Sequence, residues 1–309
     1  MVEGGAAHVT MVQRSPTYYA SLPPEDVIAK RAASLLPQSV VHPIFHWWYA
    51  FQQLFFYKVL RGNPNFAKSH LVGEVHQHLK HYMSKSDINR HFTPRYDVWD
   101  QRLCLTPNGE LFGAIRMGKA SIVTDEGGID AFTASGLRTA DGTLVDADII
   151  VTATGLTMEQ FAFDITIDGK KLDLPNRMMY KGMMLSGVPN MAFVVGYTNA
   201  SWTLKADLVC NHVCRLLNFM SKHGYAVVKP VADAGVEVEN SWDILTSGYI
   251  QRAKDMLPKQ GVSAPWRLHQ NVVLDNLELR FGKVDTTELK FYKKPTPHAK
   301  QHPQPQSRL

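Results

Sequence analysis

The chain contains 309 residues, of which 45% are hydrophobic and 20% are charged. This composition excludes a disordered or fibrous protein, and the length is typical of about two globular domains. The formal net charge is +5, but the excess lysines and arginines gather near the C terminus without a nucleic-acid-binding motif, so we predict no nucleic-acid partner.

The first predicted element is a strand over His8–Gln13, which ends at Arg14 because Ser15-Pro16 interrupts the extended pattern. The residues ahead of this strand include Glu3 and lack a long apolar run, so they do not read as a signal peptide. Since a domain seldom begins inside a strand, we expect the chain to lack the natural front of its protein.

Helical patterns run from Glu25 to about His91 and include the most apolar stretch of the chain, Ile44–Leu60. This stretch is shorter than the roughly 20 apolar residues that span a bilayer. We interpret it as a core helix or as a helix that lines an apolar tunnel. An aromatic helix on a membrane surface is the alternative, and it leaves peripheral membrane association open beside a cytoplasmic location.

Short strands follow Pro94. Asp141-Gly142 between two β-rich runs is a strong hairpin signal. The β-branched run Asp148–Thr152 is typical of a buried strand, and the small residues after it suit close approach to a ligand or another backbone. The remaining predicted strands are Ser121–Asp125, Ile129–Phe132, a pair around Asp168-Gly169, and Met191–Gly196.

A helix is predicted from Ser201 to about Lys222, because apolar residues recur there at helical spacing. After Val238 prolines accumulate, and this pattern predicts a loop-rich, tail-like end. The three cysteines are too few and too irregularly spaced for a disulfide framework, which indicates a reducing compartment. Further ligands at matching spacing are not evident around them, so we predict no metal site.

Four collinear segments resemble the class B flavoprotein monooxygenases of the Baeyer–Villiger type. They are Val9–Tyr18, Thr93–Asp125, Asp146–Leu156 and Met178–Met220. Long stretches match in each segment, whereas a chance similarity is usually confined to one short motif. The resemblance implies an α/β fold of two nested Rossmann-like dinucleotide-binding domains, one for FAD and one for NADPH, with a helical insertion in the NADPH domain.

The resemblance also divides the chain. Its parts are the end of the first part of the NADPH domain (8–20), the helical insertion (25–93), the remainder of the NADPH domain (94–157), the C-terminal part of the FAD domain (158–248) and a loop-rich tail (249–309). In this plan the strands His8–Gln13 and Asp148–Thr152 belong to one sheet.

The glycine-rich fingerprints that bind the pyrophosphates of FAD and NADPH in this family do not occur in this sequence. Such turns let the backbone approach phosphate groups at a helix N terminus. The two-domain fold is therefore expected to be incomplete, and we expect the isolated chain to bind FAD weakly or not at all.

Two arginines are the main candidates for the chemistry. Arg14 ends its strand, and the resemblance assigns it, with Ser15, to the 2′-phosphate of NADPH; a surface arginine that caps a turn is the alternative. Arg102 is the catalytic candidate, because a fixed positive charge would stabilise an anionic flavin peroxide; a salt bridge to Asp100 is the alternative. Gln101 stands where many relatives carry a lysine for the same phosphate.

Two further segments are predicted to bind cofactor. Thr154-Gly155 resembles the sequence that links the two domains of the family. The second segment resembles the one that opens a helix beneath the flavin ring in the family, and its residues are Asn199, Ala200, Trp202 and Thr203. A helix N terminus at that place would stabilise negative charge. A plain strand-to-helix turn with polar caps is the alternative, and Trp202 either lines the substrate cavity or packs.

The resemblance implies an enzyme that uses FAD, NADPH and O2 to insert one oxygen atom into a ketone or to oxidise a sulfur. The alternative is a truncated, non-catalytic remnant that only binds a partner or a membrane surface. A small ketone or thioether-like molecule is the expected substrate. The pattern of residues does not predict the oligomeric state.

Overall fold

The computed structural model of the chain describes residues 1–158, 161, 163–239 and 246–293. These residues form two compact units. The first unit comprises Met1–Met158, Thr198–Ala200 and the described residues of Trp242–Ala253, and the second comprises the rest of the described chain. The assignment of either unit to one cofactor stays a prediction.

Helices form where apolar residues recur every three or four positions and a capping side chain accepts from the first N–H groups. Asp26, for example, accepts hydrogen bonds from the backbone N–H groups of Ile28 and Ala29. The helices are α1 (Val27–Leu35), α2 (Gln38–Gly62), α3 (Pro64–Leu79), α4 (Lys85–Phe92), α5 (Glu110–Arg116), α6 (Trp202–His223), α7 (Gly248–Ala253) and α8 (Val272–Asp275), and a π-helical segment, Asn276–Phe281, continues α8.

The strands are short and belong to several small sheets. In the first unit they are β1 (Val9–Gln13), β2 (Tyr19–Leu22), β3 (Cys104–Pro107), β4 (Ala120–Thr124), β5 (Ile129–Phe132), β6 (Gly136–Thr139) and β7 (Leu144–Asp146). In the second unit they are β8 (Thr166–Ile167), β9 (Lys170–Lys171), β10 (Met179–Tyr180), β11 (Met184–Leu185), β12 (Tyr225–Pro230), β13 (Val238–Glu239), β14 (Gln260–Gly261) and β15 (Leu289–Lys293).

Two parallel strand pairs organise the first unit. β1 pairs with β4, from Val9 opposite Ala120 to Gln13 opposite Thr124. β2 pairs with β3. Because a parallel pair cannot be closed by a tight turn, long connections join the partners, and α1–α4 lie in the connection between β2 and β3. Tyr19 of β2 packs edge-on against Phe92 and Phe112 in the core of this unit.

Several sequence predictions are confirmed. The region from Glu25 to His91 is mostly helical, and Ile44–Leu60 lies inside α2. The interpretation of this stretch as a core helix is wrong, because α2 buries only Val41 and Ala50 and leaves several large apolar side chains exposed. The predicted strands near His8–Gln13 and Ser121–Asp125 are β1 and β4, and β6 and β7 form the hairpin around Asp141-Gly142. No helix in the described part of the chain is both long enough and apolar enough to cross a membrane.

Two predicted strands are wrong. Asp148–Thr152 and Met191–Gly196 are extended segments that join no β-ladder in the described structure. A strand needs a neighbour whose backbone groups pair with its own. In Met191–Gly196 a single backbone hydrogen bond, such as Phe193 N–H to Met183 O at 2.8 Å, does not make a ladder. Asp148–Thr152 therefore does not share a sheet with β1, contrary to prediction.

The tail-like prediction is wrong for the described residues after Val238. β15 pairs antiparallel with β12. Trp266, Leu279 and Leu289 are buried with Met183 and Leu208 in the core of the second unit. The proline-rich pattern concealed this core, because residues from about 260 to 290 are spaced too irregularly to show a period along the sequence. Residues 294–309 lie outside the described structure.

Candidate functional site

Arg14 directly follows β1, at the end where β1 and β4 finish together. The backbone N–H of Asp125 donates to Gln13 O at 3.1 Å and closes the two strand ends. Gly128, at φ +75°, lies under the stem of Arg14, and a Cβ there would meet Arg14 Cγ at 3.2 Å. Arg14 and Ser15 are exposed. The carboxyl edge of this parallel pair therefore carries a supported and accessible guanidinium, which suits a phosphate group.

Arg102 lies just before β3 in a segment that the surrounding chain holds firmly. The backbone carbonyl of Asp100 accepts from Thr246 N–H at 2.9 Å and from Thr246 Oγ1 at 3.1 Å. Trp99 has φ +76°, a strained conformation for a large side chain, and its ring meets Tyr57 edge-on. Strain of this kind is often found at functional segments. Arg102 itself is exposed, whereas Gln101 is half-buried.

Thr154 and Gly155 are exposed in an extended segment. Gly155 has φ +107°, a conformation that favours glycine, and a Cβ built there would meet no heavy atom within 4 Å. The glycine is thus required by the backbone and not by local crowding. Arg252 Nη2 donates to Leu156 O at 3.4 Å, just beyond this pair.

Helix α6 begins at Trp202, after Ser201 as the N-cap. The Ser201 side chain accepts no capping hydrogen bond, and its Oγ lies 2.8 Å from Thr203 Oγ1. The first turn of α6 therefore keeps the positive end of the helix dipole without a side-chain cap from Ser201, which suits a negatively charged group. Gly196 packs so closely on Trp202 that a Cβ would lie 2.6 Å from Trp202 Cα.

The predicted site residues divide between the two units. Trp202 and Thr203 lie together on the first turn of α6 in the second unit. The residues placed in the first unit are Arg14, Ser15, Gln101, Arg102, Thr154, Gly155, Asn199 and Ala200. Within that unit Arg14 stands at the end of one strand pair and Arg102 at the beginning of a strand in the other. Asn199 is buried, and the indole of Trp202 is about half exposed.

A buried ion pair that sequence reasoning missed lies in the second unit. Lys205 Nζ is 3.0 Å from Asp275 Oδ2, and their side chains are only 6% and 3% exposed. The Tyr197 ring lies 5.8 Å from the same ammonium. Burial, together with Asp275, raises the pKa of Tyr197, so the phenol stays protonated. This pair ties the first turns of α6 to α8.

The same region holds further buried ionisable groups. Burial raises the pKa of Glu278, whose carboxylate lies 3.2 Å from His269 Nε2. Burial lowers the pKa of Lys181. His212, fully buried on α6, has a pKa lowered to about 4 by burial, so it is neutral at pH 7 and its Nδ1–H donates to Leu279 O at 2.8 Å. Among the described residues, no three potential ligands gather closely enough for a metal ion.

One sequence signal could have revealed this cluster. The buried face of α6 carries Lys205, Leu208, Val209, His212 and Leu216. These residues recur at helical spacing, so two ionisable side chains occupy positions of an otherwise apolar stripe. An apolar stripe interrupted in this way predicts buried partners elsewhere in the chain.

His212 should make folding stability depend on pH. Its pKa is about 4 in the folded chain and about 6.5 when unfolded. The folded pKa is the lower one, so its contribution is fully present above pH 6.5 and is lost as pH falls towards 4. The loss approaches about 1.4 kcal/mol per pH unit within that window. We expect urea unfolding at several pH values to show a shallower decline in His212→Asn than in the unaltered chain; parallel declines would contradict the assignment.

Comparisons with known proteins give a consistent set of similarities. No protein-family model matches the chain. It is 45% identical over 298 residues to the FAD-containing monooxygenase EthA of Mycobacterium tuberculosis, a match that covers 96% of this chain and 60% of that protein. It is 42% identical over 296 residues to the probable FAD-binding monooxygenase AlmA of Acinetobacter baylyi, with coverages of 95% and 58%.

A solved structure of an oxidised steroid monooxygenase bound to NADP is similar in fold. The TM-score is 0.63 at 14% identity, over 95% of this chain and 64% of that one. The chain spans about 60% of the length of the curated relatives that it matches.

Proposed function

We propose, from its similarity to the FAD-containing monooxygenases, that the chain forms part of an FAD- and NADPH-dependent monooxygenase of the Baeyer–Villiger type. The observation that carries the proposal is the 45% identity across nearly the whole chain. Its substrate would be a small ketone or thioether-like molecule, oxidised with O2 in the cytoplasm.

The proposed architecture is the nested two-domain plan with a helical insertion. Its support in the first unit is topological. β2 and β3 pair in parallel although α1–α4 separate them in sequence. The parallel pairing of β2 with β3 requires a long connection, and α1–α4 supply it as one helical block, which is compatible with a helical insertion in an α/β domain.

Arg14 and Ser15 are the proposed contacts for the 2′-phosphate of NADPH. The exposed guanidinium on its glycine support offers a planar array of donors to phosphate oxygens. Gln101 would add a neutral contact near Arg102. The chemistry of these side chains fits an anionic nucleotide.

The flavin would supply the redox chemistry with O2 when bound, after reduction by NADPH. Thr154 and Gly155 would allow close approach of the backbone to the cofactor, because Gly155 carries no side chain at φ +107°. The segment Asn199–Thr203 would direct the positive end of α6 towards negative charge. Arg102 would hold a fixed positive charge where oxygen transfer develops negative charge.

Activity is best tested on two proteins. One is the chain itself, and the other is its fusion with the part of the Mycobacterium tuberculosis relative that the alignment leaves unmatched. We expect the fusion to be yellow, to consume NADPH with a thioether or cyclic ketone, and to form an oxygenated product detectable by mass spectrometry. A folded fusion that binds FAD but forms no oxygenated product from either substrate class would favour the non-catalytic alternative.

Substitution of Arg14 should alter cofactor choice. In the fusion protein, Arg14→Ala is expected to raise the KM for NADPH roughly tenfold or more, because one charge-assisted phosphate contact is lost. The KM for NADH should change little, because NADH has no 2′-phosphate. The kcat at saturating NADPH should survive. Arg116→Ala, an exposed arginine of the same unit, is the control. An equal rise in both KM values would contradict the 2′-phosphate assignment.

A further inference from the structure

Helix α2 exposes a continuous apolar surface. Its members are Val40, Ile44, Trp47, Trp48, Phe51 and Phe55, here called the α2 aromatic surface. Phe51 and Phe55 are 65% and 62% exposed. Large apolar side chains exposed side by side, and not scattered singly, usually mark an interaction site.

The spacing places these six side chains on one side of the helix. Successive members are separated by one, three or four residues, so at 3.6 residues per turn they occupy an arc about 100° wide. Lys58 continues the same stripe, seven residues after Phe51. An arc of this width is what a helix normally presents to a protein core, and here it faces outward.

The helix is attached mainly through residues outside this surface. The Tyr57 ring packs edge-on against Trp99, with ring centroids 5.4 Å apart. Leu60 packs against the buried cluster of Tyr18 and Leu71. Tyr49 Oη of α2 also donates to Oδ2 of Asp26, the N-cap residue of α1, at 2.7 Å. These contacts position the helix while the α2 aromatic surface stays exposed.

The charge of the region decides which occupant fits. No Asp or Glu occurs between Asp26 and Glu74. The basic residues in the same interval are Lys30, Arg31, Lys58, Arg61 and Lys68. Lys30 pairs with Glu25 at the start of α1, and Asp26 accepts from Tyr49, but the charged residues of α2 itself, Lys58 and Arg61, are both basic. An aromatic helix with basic residues complements an anionic lipid headgroup layer, in which the rings enter the interface and the cations stay among the phosphates. Protein interfaces are instead depleted of lysine at their centres.

We propose that the α2 aromatic surface docks the protein on an anionic phospholipid membrane, with α2 lying in the plane of the interface. This proposal is independent of the monooxygenase chemistry, because it rests on the first unit's helices and not on the cofactor residues. Docking would bring the protein to the lipid bilayer, where apolar small molecules concentrate.

The test is co-sedimentation of the 309-residue chain with two kinds of vesicle: phosphatidylcholine alone, and an equal mixture of phosphatidylglycerol and phosphatidylcholine. We expect strong binding to the mixed vesicles, weak binding to the neutral ones, and a decrease at high salt. The triple variant Trp48→Ser, Phe51→Ser, Phe55→Ser should lose roughly tenfold in partitioning per aromatic ring. Arg31→Gln with Lys58→Gln should lose roughly fivefold per charge on the mixed vesicles.

Matched controls separate docking from general stickiness and from unfolding. Phe132→Ser with Leu144→Ser removes side chains that are 65% and 66% exposed on other elements of the same unit and should bind like the unaltered chain. Lys119→Gln with Lys222→Gln controls for total charge. Circular dichroism confirms folding of each variant. Equal binding by the triple variant, equal binding to neutral vesicles, or a concentration-dependent dimer without vesicle binding would each overturn the proposal.

Discussion

Asp275→Ala is expected to lower the free energy of unfolding by about 3–5 kcal/mol, the cost of leaving one member of a buried ion pair unpaired. Lys205 is the member left behind. Its ammonium lies 3.0 Å from the Asp275 carboxylate, and both side chains are almost wholly inaccessible to water. The ring of Tyr197, 5.8 Å away, offers the cation only a weak substitute. The measurement is urea unfolding at pH 7, followed by circular dichroism.

Two control variants distinguish the effect of an unpaired buried charge from the effect of losing any ion pair. The double variant Lys205→Met with Asp275→Leu removes both charges and should recover most of the lost stability, because a well-packed apolar pair can replace a buried ion pair. The exposed pair Lys171–Asp164 has a similar separation of 2.7 Å, and Asp164→Ala should have little effect because solvent screens it. A loss for Asp275→Ala within about 1 kcal/mol, as for exposed pairs, would contradict the prediction that Lys205 is left buried and unpaired.

This ion pair also bears on the proposed cofactor segment. Lys205 lies one turn after Trp202 in α6, so a displaced Lys205 would loosen the first turn of the helix. We infer that the buried pair is a positioning element for the start of α6. This role requires that Asp275→Ala in the fusion protein lowers the stability and also weakens flavin binding. The double variant Lys205→Met with Asp275→Leu should restore both.

Arg102→Ala should lower the rate of oxygen insertion by about two to three powers of ten in the fusion protein while FAD stays bound. Removal of one preorganised group that stabilises developing negative charge typically has an effect of this size. Arginine suits the role because it stays charged when desolvated, whereas lysine can lose its proton. The hydrogen bonds from Thr246 to the Asp100 carbonyl hold this segment and do not involve the Arg102 side chain.

Stopped-flow kinetics would separate the steps. Reduction of the flavin by NADPH should slow less than product formation, and the flavin content after gel filtration should not change. Arg116→Ala, at an exposed arginine of the same unit, is the control and should retain most of the oxygenation rate. Near-normal product formation by Arg102→Ala would assign the arginine to a structural role, such as a salt bridge to Asp100.

The helices and the local hairpins could be predicted from the sequence. α2, α6 and the β6–β7 hairpin were visible because their determinants are local: apolar residues at helical spacing, a capping residue, or Asp141-Gly142 between β-rich runs. The strands β1 and β4 also matched prediction, since a short apolar run bounded by breakers identifies a strand wherever its partner lies. Arg14 was placed correctly at a strand end for the same reason.

The tertiary structure alone decided which extended runs became strands and which charged residues pair with each other. Asp148–Thr152 has the composition of a strand but pairs with no neighbour in the described chain. β15 has an ordinary composition and pairs with β12, whose residues lie 59 to 68 positions away from their partners. Lys205 and Asp275 are 70 positions apart, and the sequence around each residue does not indicate that the other is its partner. Backbone pairing and charge compensation depend on distant groups, so only the folded chain brings the determinants together.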